Sequence, residues 1–229
     1  MSEPETVTSA VAKQVPLQPL IEQYQAEFAK VLPRHVGVER FERWSVGVLR
    51  KGLAGKQAEV WQRVLTQPPG QLSVMAALMD CASLGLEPGR TYHLVPFGGE
   101  VTGITDYKGE IQLITNANRR AVVVVQLVRE KDDYHRTGAN IPPKHDADWW
   151  GDRGPVVGGY CYVDFGDGLY SQVVDLPERS VAADQDSFEK HKALAKTKSV
   201  WDAHPEPMRW KTLVHIERKL VPWSAEVRP

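Results

Sequence analysis

Gly103-Ile104-Thr105-Asp106-Tyr107-Lys108-Gly109-Glu110-Ile111-Gln112-Leu113-Ile114 decides the fold, because it reads as a strand that passes abruptly into a helix. Asp106 is placed to cap that helix, since its carboxylate can accept from the first free backbone N–H groups. Tyr107, Ile111 and Ile114 then fall at i, i+4 and i+7, and Leu113 and Ala117 widen this apolar face. Lys108, Gln112, Thr115 and Arg119 fall at i, i+4, i+7 and i+11 and form a second face, wholly polar and without a carboxylate. At ~1.5 Å per residue, Lys108 and Arg119 lie roughly 16 Å apart, the span of about four or five nucleotides at ~3.4 Å each. An aromatic, a cation and a glycine at a helix start can hold a phosphate on free N–H groups and a base on a ring. Tyr107, Lys108, Gly109 and Gln112 are therefore candidates for gripping nucleic acid, with Gly109 read as room for a DNA backbone. Spacing alone equally allows a solvated face whose basic end, Asn118-Arg119-Arg120, favours the helix dipole, and a Tyr107 that belongs to a core.

The neighbouring segments extend the pattern. Tyr92–Phe97 and Glu100–Thr105 flank Gly98-Gly99, the signal of a tight hairpin. Ala121–Arg129 is a β-branched run and reads as the next strand. Val156–Val163 and Tyr170–Leu176, either side of Asp164-Phe165-Gly166-Asp167-Gly168, read as a second hairpin, and Tyr134–Pro155 as a long loop. Upstream, helical spacing predicts helices over Leu20–Leu32, Val38–Arg50 and Trp61–Leu65, the first ended by Pro33 and the last by Pro68-Pro69-Gly70. Leu72–Leu84 follows, with Leu72, Met75, Ala76, Met79 and Leu84 as its apolar stripe and Gly85 and Glu87-Pro88-Gly89 closing it. Pro177–Lys198 and Pro205–Leu220 read as helices downstream. The class is α+β: a small antiparallel sheet of two hairpins plus a strand, crossed by the Tyr107 helix, with N-terminal and C-terminal helices. Residues 1–19 read as a flexible tail, 20–224 as the domain and 225–229 as a short end.

A formal net charge of -1 excludes a global basic field, so any nucleic-acid site must gather its positive charge locally. Cys81 and Cys161 lie far apart in apolar surroundings and read as buried free thiols in a reducing cytosol. Met1–Ser9 is too polar for a signal peptide. No apolar run approaches the ~18 residues of a membrane span.

The local charge is found near the end of the chain. In Met208–Leu220, Trp210, Leu213, Val214 and Leu220 lie toward one side, while Lys211, His215, Arg218 and Lys219 fall at i, i+4, i+7 and i+8 on another. From Lys190 to Leu220, eight Lys/Arg (Lys190, Lys192, Lys196, Lys198, Arg209, Lys211, Arg218, Lys219) meet three acids, a local +5. An ordinary amphipathic surface helix would show the same pattern.

These pieces together resemble the RecT-type phage single-strand annealing proteins. The resemblance is carried by Leu32-Pro33-Arg34-His35, Glu39-Arg40-Phe41, Leu84-Gly85-Leu86-Glu87-Pro88-Gly89, Tyr92–Pro96 and Tyr107-Lys108-Gly109. It ends with Ser199-Val200-Trp201, Met208, Lys211-Thr212 and Lys219–Ser224, and so covers roughly residues 20–224. It implies an annealing-protein fold similar to Rad52-like recombinases. It implies ATP-independent binding of single-stranded DNA and its annealing to a complementary strand through a duplex intermediate, in phage-type homologous recombination. It further implies a homo-oligomeric ring or helical filament, a partner exonuclease, and a cytoplasmic setting in a bacterial host of a phage or prophage. The terminal helix departs from the family in carrying His215-Ile216 where a pair of arginines is common, and Trp210 where a lysine often precedes Lys211. Lys211 and Lys219 are therefore stronger phosphate candidates than His215.

The expected DNA contacts are Tyr107, Lys108, Gly109, Gln112, Arg119, Arg120, Lys196, Lys198, Trp201, Arg209, Lys211, Arg218 and Lys219, with Tyr107 and Trp201 as stacking platforms. No catalytic residue, metal ligand or cofactor is expected, with Mg2+ entering only as an aid to assembly or annealing. Two other readings compete. Asp132-Asp133 with Asp146, Asp148 and Asp152 could hold a metal for a nuclease, or the chain could be a ring-forming interaction scaffold. Trp149-Trp150 reads either as a plug for its loop or as a subunit contact.

Overall fold

Apolar residues at helical spacing fold the first third of the chain into α1 (Leu17–Glu22), α2 (Gln25–Val31), α3 (Val38–Ala54), α4 (Ala58–Thr66) and α5 (Pro68–Ser83). The computed structural model describes residues 16–181 and 204–227. Lys196, Lys198, Trp201 and most of the helix expected over 177–198 lie outside those residues. Helix starts earlier than expected at Leu17, which is buried, and breaks at 23–24 between α1 and α2. Helix α4 stops at Thr66 just before Pro68-Pro69, as expected, and the same prolines also open α5, because a proline in a first helical turn forfeits no internal hydrogen bond. The buried face of α5 is also rotated from the expected stripe: Val74, Leu78, Cys81 and Ala82 point inward, while Leu72 is 63% exposed.

Strands β1 (Tyr92–Phe97) and β2 (Glu100–Thr105) form the expected hairpin, in register from Tyr92↔Thr105 to Phe97↔Glu100. The Val101 N–H donates to Ser73 Oγ at 2.8 Å and ties β2 to α5. The five helices and the hairpin share one core, which includes Phe28, Phe41, Leu49, Leu78, Leu86 and Tyr92.

Helix α6 (Tyr107–Ala117) begins as read, with the Asp106 carboxylate accepting from the Lys108 N–H at 2.9 Å. Its first turn lies directly on the chain entering β1. The Asp106 N–H donates to the Thr91 carbonyl at 3.0 Å, and a Cβ at Gly109 would stand 2.4 Å from that oxygen. Gly109 is buried. The space left by its missing side chain is taken by Thr91, which corrects its reading as room for a DNA backbone.

The second half contains β3 (Val122–Arg129), β4 (Asp133–His135), β5 (Lys144–Asp146), β6 (Val156–Asp164), β7 (Val174–Pro177), α7 (Glu178–Val181) and α8 (Pro205–Arg218). All pairings between these strands are antiparallel, but the strands form three sheets, not one: β1-β2, β3-β6-β7 and β4-β5. The expected loop over Tyr134–Pro155 thus contains a short hairpin. Side-chain contacts hold it: Tyr134 stacks on Tyr160 at 5.5 Å, and Tyr160 on Tyr162 at 6.2 Å. Tyr170 contributes only an isolated bridge to Asp164, so β7 is shorter than expected.

Helices α6 and α8 cover one face of β3-β6-β7, around Leu127, Cys161, Val174, Leu213 and Val214. Gly159 permits this approach, since a Cβ there would meet Leu213 Cδ1 at 2.7 Å. Cys81 and Cys161 are buried and unpaired as expected, and burial pushes both thiols above their ordinary range. Among the described residues, no helix is long and apolar enough to cross a membrane.

Gly109→Ala is expected to destabilise the fold by about 1–3 kcal/mol, because backbone cannot yield as a flexible side chain can. Gly47→Ala on α3, where nothing lies within 4 Å of an added Cβ, should instead stabilise by about 0.5–1 kcal/mol. Urea unfolding of the two variants beside the parent checks both signs.

Candidate nucleic-acid interface

Helix α8 presents its charge outward because its other face is committed to the sheet. Thr212, Leu213, Val214 and Glu217 are buried, and Pro205 lies in the first turn. Its N-terminal half is pinned by two ion pairs, Arg129 to Glu206 and Arg209 to Glu178. Arg209 is engaged at both nitrogens that reach Glu178, with Nε at 2.8 and 3.0 Å from the two carboxylate oxygens. It therefore anchors α8 to α7, a partner that its reading as a phosphate contact did not foresee.

Lys211, His215 and Arg218 remain, at i, i+4 and i+7, a row of roughly 10 Å by the helix rise. They face β2. Gly103, Ile104 and Thr105 of β2, Glu110 of α6, and Lys211, Thr212, His215 and Arg218 of α8 line a cleft of ≈ 380 Å³. Lys211 forms no ion pair among the described residues. The Arg218 guanidinium lies 4.6 Å from the centre of the Trp223 ring, a stack that orients it. Lys219 follows at the end of the helix and is exposed. Glu110 is 3% exposed, and one of its oxygens lies 2.7 Å from His215 Nδ1. The cleft is thus lined by three basic side chains, one buried carboxylate and a strand.

The row predicted on α6 does not join this cleft. Lys108 and Gln112 each lie two residues from Glu110, about 200° round the helix at ~3.6 residues per turn, so they look the other way. Lys108 is exposed there, and the half-buried Gln112 donates to the Gly85 carbonyl at 3.4 Å, but α6 ends at Ala117 and an extended Asn118 takes the exposed Arg119 off the predicted row. Arg120 pairs with Asp167 at 3.2 Å on open surface, where an ion pair holds little. Tyr107 packs edge-on against Trp210, ring centres 6.5 Å apart, and joins the core beside Ile111. The packing matches the core reading of this partly buried ring.

His215, Thr212, Glu110 and the β2 residues are the part of the cleft that the expected contacts omit. His215 was visible as a member of the α8 row. Glu110 carried no such signal, because its partner lies 105 residues away in sequence.

The loop acids are engaged elsewhere. Asp132 is buried and accepts from Arg153 Nε at 2.8 Å, His145 Nε2 at 3.0 Å and the Arg129 N–H at 2.7 Å. The Arg153 guanidinium is the largest cause holding its carboxyl far below the usual range. Asp146 pairs with Lys144 and Asp152 with Lys131, while Asp148 accepts from the Trp150 and Gly151 N–H groups. Among the described residues, no group of three or more His, Cys, Asp and Glu could hold a metal ion. Trp149 packs within its loop, its ring 4.4 Å from the Arg153 guanidinium and 6.0 Å from the His145 ring, whereas Trp150 is 99% exposed and plugs nothing.

A family model described as the RecT family matches residues 56–227. Protein RecT of Escherichia coli (strain K12) is similar to this chain, with 26% identity over an alignment that covers 88% of this chain and 73% of that protein.

The inward face of α8 carries one unusual group. Glu217 is fully buried, and neither carboxylate oxygen has a hydrogen-bond partner of good geometry among the described residues. Burial raises its carboxyl to about 7, with the Ser171 hydroxyl pulling more weakly the other way. A raised acid keeps its proton in the folded chain after the unfolded chain has lost it. Its contribution to stability is therefore full below the unfolded value near 4.5 and is lost as pH rises through about 7. Urea unfolding at pH 5 and pH 8 should show a loss of up to about 3 kcal/mol from this group. Glu217→Gln should flatten that slope.

Proposed function

The chain belongs to the RecT family, and on that premise we propose that it binds single-stranded DNA in the cleft between β2, α6 and α8 and anneals it to a complementary strand, as an oligomer and without ATP. The observation that carries this reading is the row Lys211, His215 and Arg218 facing β2 across the cleft. Contacts from such a row to phosphates supply affinity without sequence preference and leave base edges free to meet another strand. Lys219 extends the row. Lys108 on the outer side of α6, and the exposed Arg119 and Arg120 just past its end, are assigned to DNA beyond the cleft.

Each phosphate neutralised adds about -0.7 to the slope of log affinity against log salt for a single strand. Modest contacts of this kind multiply when subunits line up along one strand, so no subunit need bind tightly. Trp150 and Phe97, 99% and 83% exposed, support such an assembly, because a single chain leaves both large rings uncovered. A recombination role also calls for a nuclease partner to expose the strands. Cleavage by the chain itself is disfavoured, since Asp132, Asp146 and Asp152 are already paired with basic side chains.

Labelled complementary oligonucleotides with and without Mg2+ test the reading: intact strands should become duplex without nucleotide. Degraded strands would sink it. Lys211→Ala should weaken strand binding about tenfold, the loss of one charge-assisted contact, and Lys108→Ala should weaken it less. Unchanged binding in both variants would show that these are not the contacts. Trp150→Ala should leave the unfolding midpoint alone and shift light scattering toward smaller assemblies. Assemblies of the parent's size would remove Trp150 from the subunit contact.

A further inference from the structure

Among the described residues, Glu110 is the one carboxylate that lines the cleft, and an unanswered negative charge there would repel a phosphate. Its Oε1 lies 2.7 Å from His215 Nδ1, while its buried Oε2 has no hydrogen-bond partner. An ionised carboxylate can only accept, so Nδ1 carries the hydrogen of this bond and the ring is held in one orientation. The His215 side chain is 50% exposed, and its Nε2 has no hydrogen-bond partner among the described residues. His215 also lies between Lys211 and Arg218 on the row. The β2 wall, Gly103, Ile104 and Thr105, brings no charged side chain to this place. His93, paired across the hairpin with Ile104, is itself engaged with Asp106 at 3.2 Å.

We propose that Glu110 is a positioning residue that holds His215 through Nδ1, so that Nε2 contacts a DNA phosphate as the middle of three contacts along α8. This inference rests on the strand-binding function proposed above. The acid's oxygen is turned to the ring and away from the open cleft, while the ring still presents its second nitrogen outward. Glu110 thereby converts a side chain with weak positional preference into a fixed donor.

Binding of an oligo-dT at pH 6, where an imidazole carries its proton in good part, reads this directly. His215→Gln should reduce the salt slope by about 0.7 per bound subunit, and His215→Arg should restore it. Glu110→Gln should weaken binding in the parent and add nothing in the His215→Gln background, the non-additivity of a residue that acts through another. A purely structural role for Glu110 predicts equal losses in the two backgrounds. That outcome, or a slope unchanged by His215→Gln, overturns the inference. If Lys211→Ala lowers the slope and His215→Gln does not, this inference alone falls. A parent that binds no single strand takes the proposed function down with it.

Discussion

The contact between the Thr91 carbonyl and the first turn of α6 sets the position of everything that forms the cleft. One hydrogen bond, from the Asp106 N–H, and one missing Cβ, at Gly109, let the helix lie against the backbone with no slack between them. From there α6 serves three apolar clusters. Leu113 joins the helical core, Tyr107 and Ile111 pack with α8 on the sheet, and Ile114 meets Val163 and Val221. A close-packed interior transmits strain, so a helix shared by three clusters cannot shift without disturbing all of them. Glu110 and the α8 row inherit that fixity.

Helix α8 is secured from both ends. Its N-terminal half is tied by Glu206 and Arg209, and the segment after it returns to α6, where the Ser224 N–H donates to the Leu113 carbonyl and Asn116 Nδ2 donates to the Ala225 carbonyl. The same helix buries Glu217 with no well-formed hydrogen bond among the described residues, a cost in folding free energy that the apolar contacts of Leu213 and Val214 offset. Charge on α8 thus divides by place: Glu206 and Arg209 in its first half hold the helix, and Lys211, His215 and Arg218 further along face the cleft.

What the sequence made legible was local. The Gly98-Gly99 hairpin, the Asp106 cap and the buried thiols each follow from neighbours within a few residues, and each matches the structure. Pro68-Pro69 closed α4 as read but hid the start of α5, because proline signals both the end of one helix and the start of the next. The β4-β5 hairpin was hidden in polar sequence, since its stability comes from Asp132, Arg153, His145 and Tyr160, which meet only in the folded chain. Gly109 looked available to a ligand because nothing in the sequence shows that Thr91 occupies its space. The row on α8 was readable from spacing, whereas its opposite wall and the Glu110–His215 pair depend on contacts about a hundred residues apart.

The division of the cores has a consequence for synthesis. The helical core is built from residues between Leu17 and Leu113, so its parts emerge from a ribosome early and can begin to pack while the rest of the chain is still being made. The cleft cannot form at that stage, because α8 and the Ser224 closure onto α6 come later in the chain. Until those residues are made, β2 and α6 lack the wall that completes the cleft.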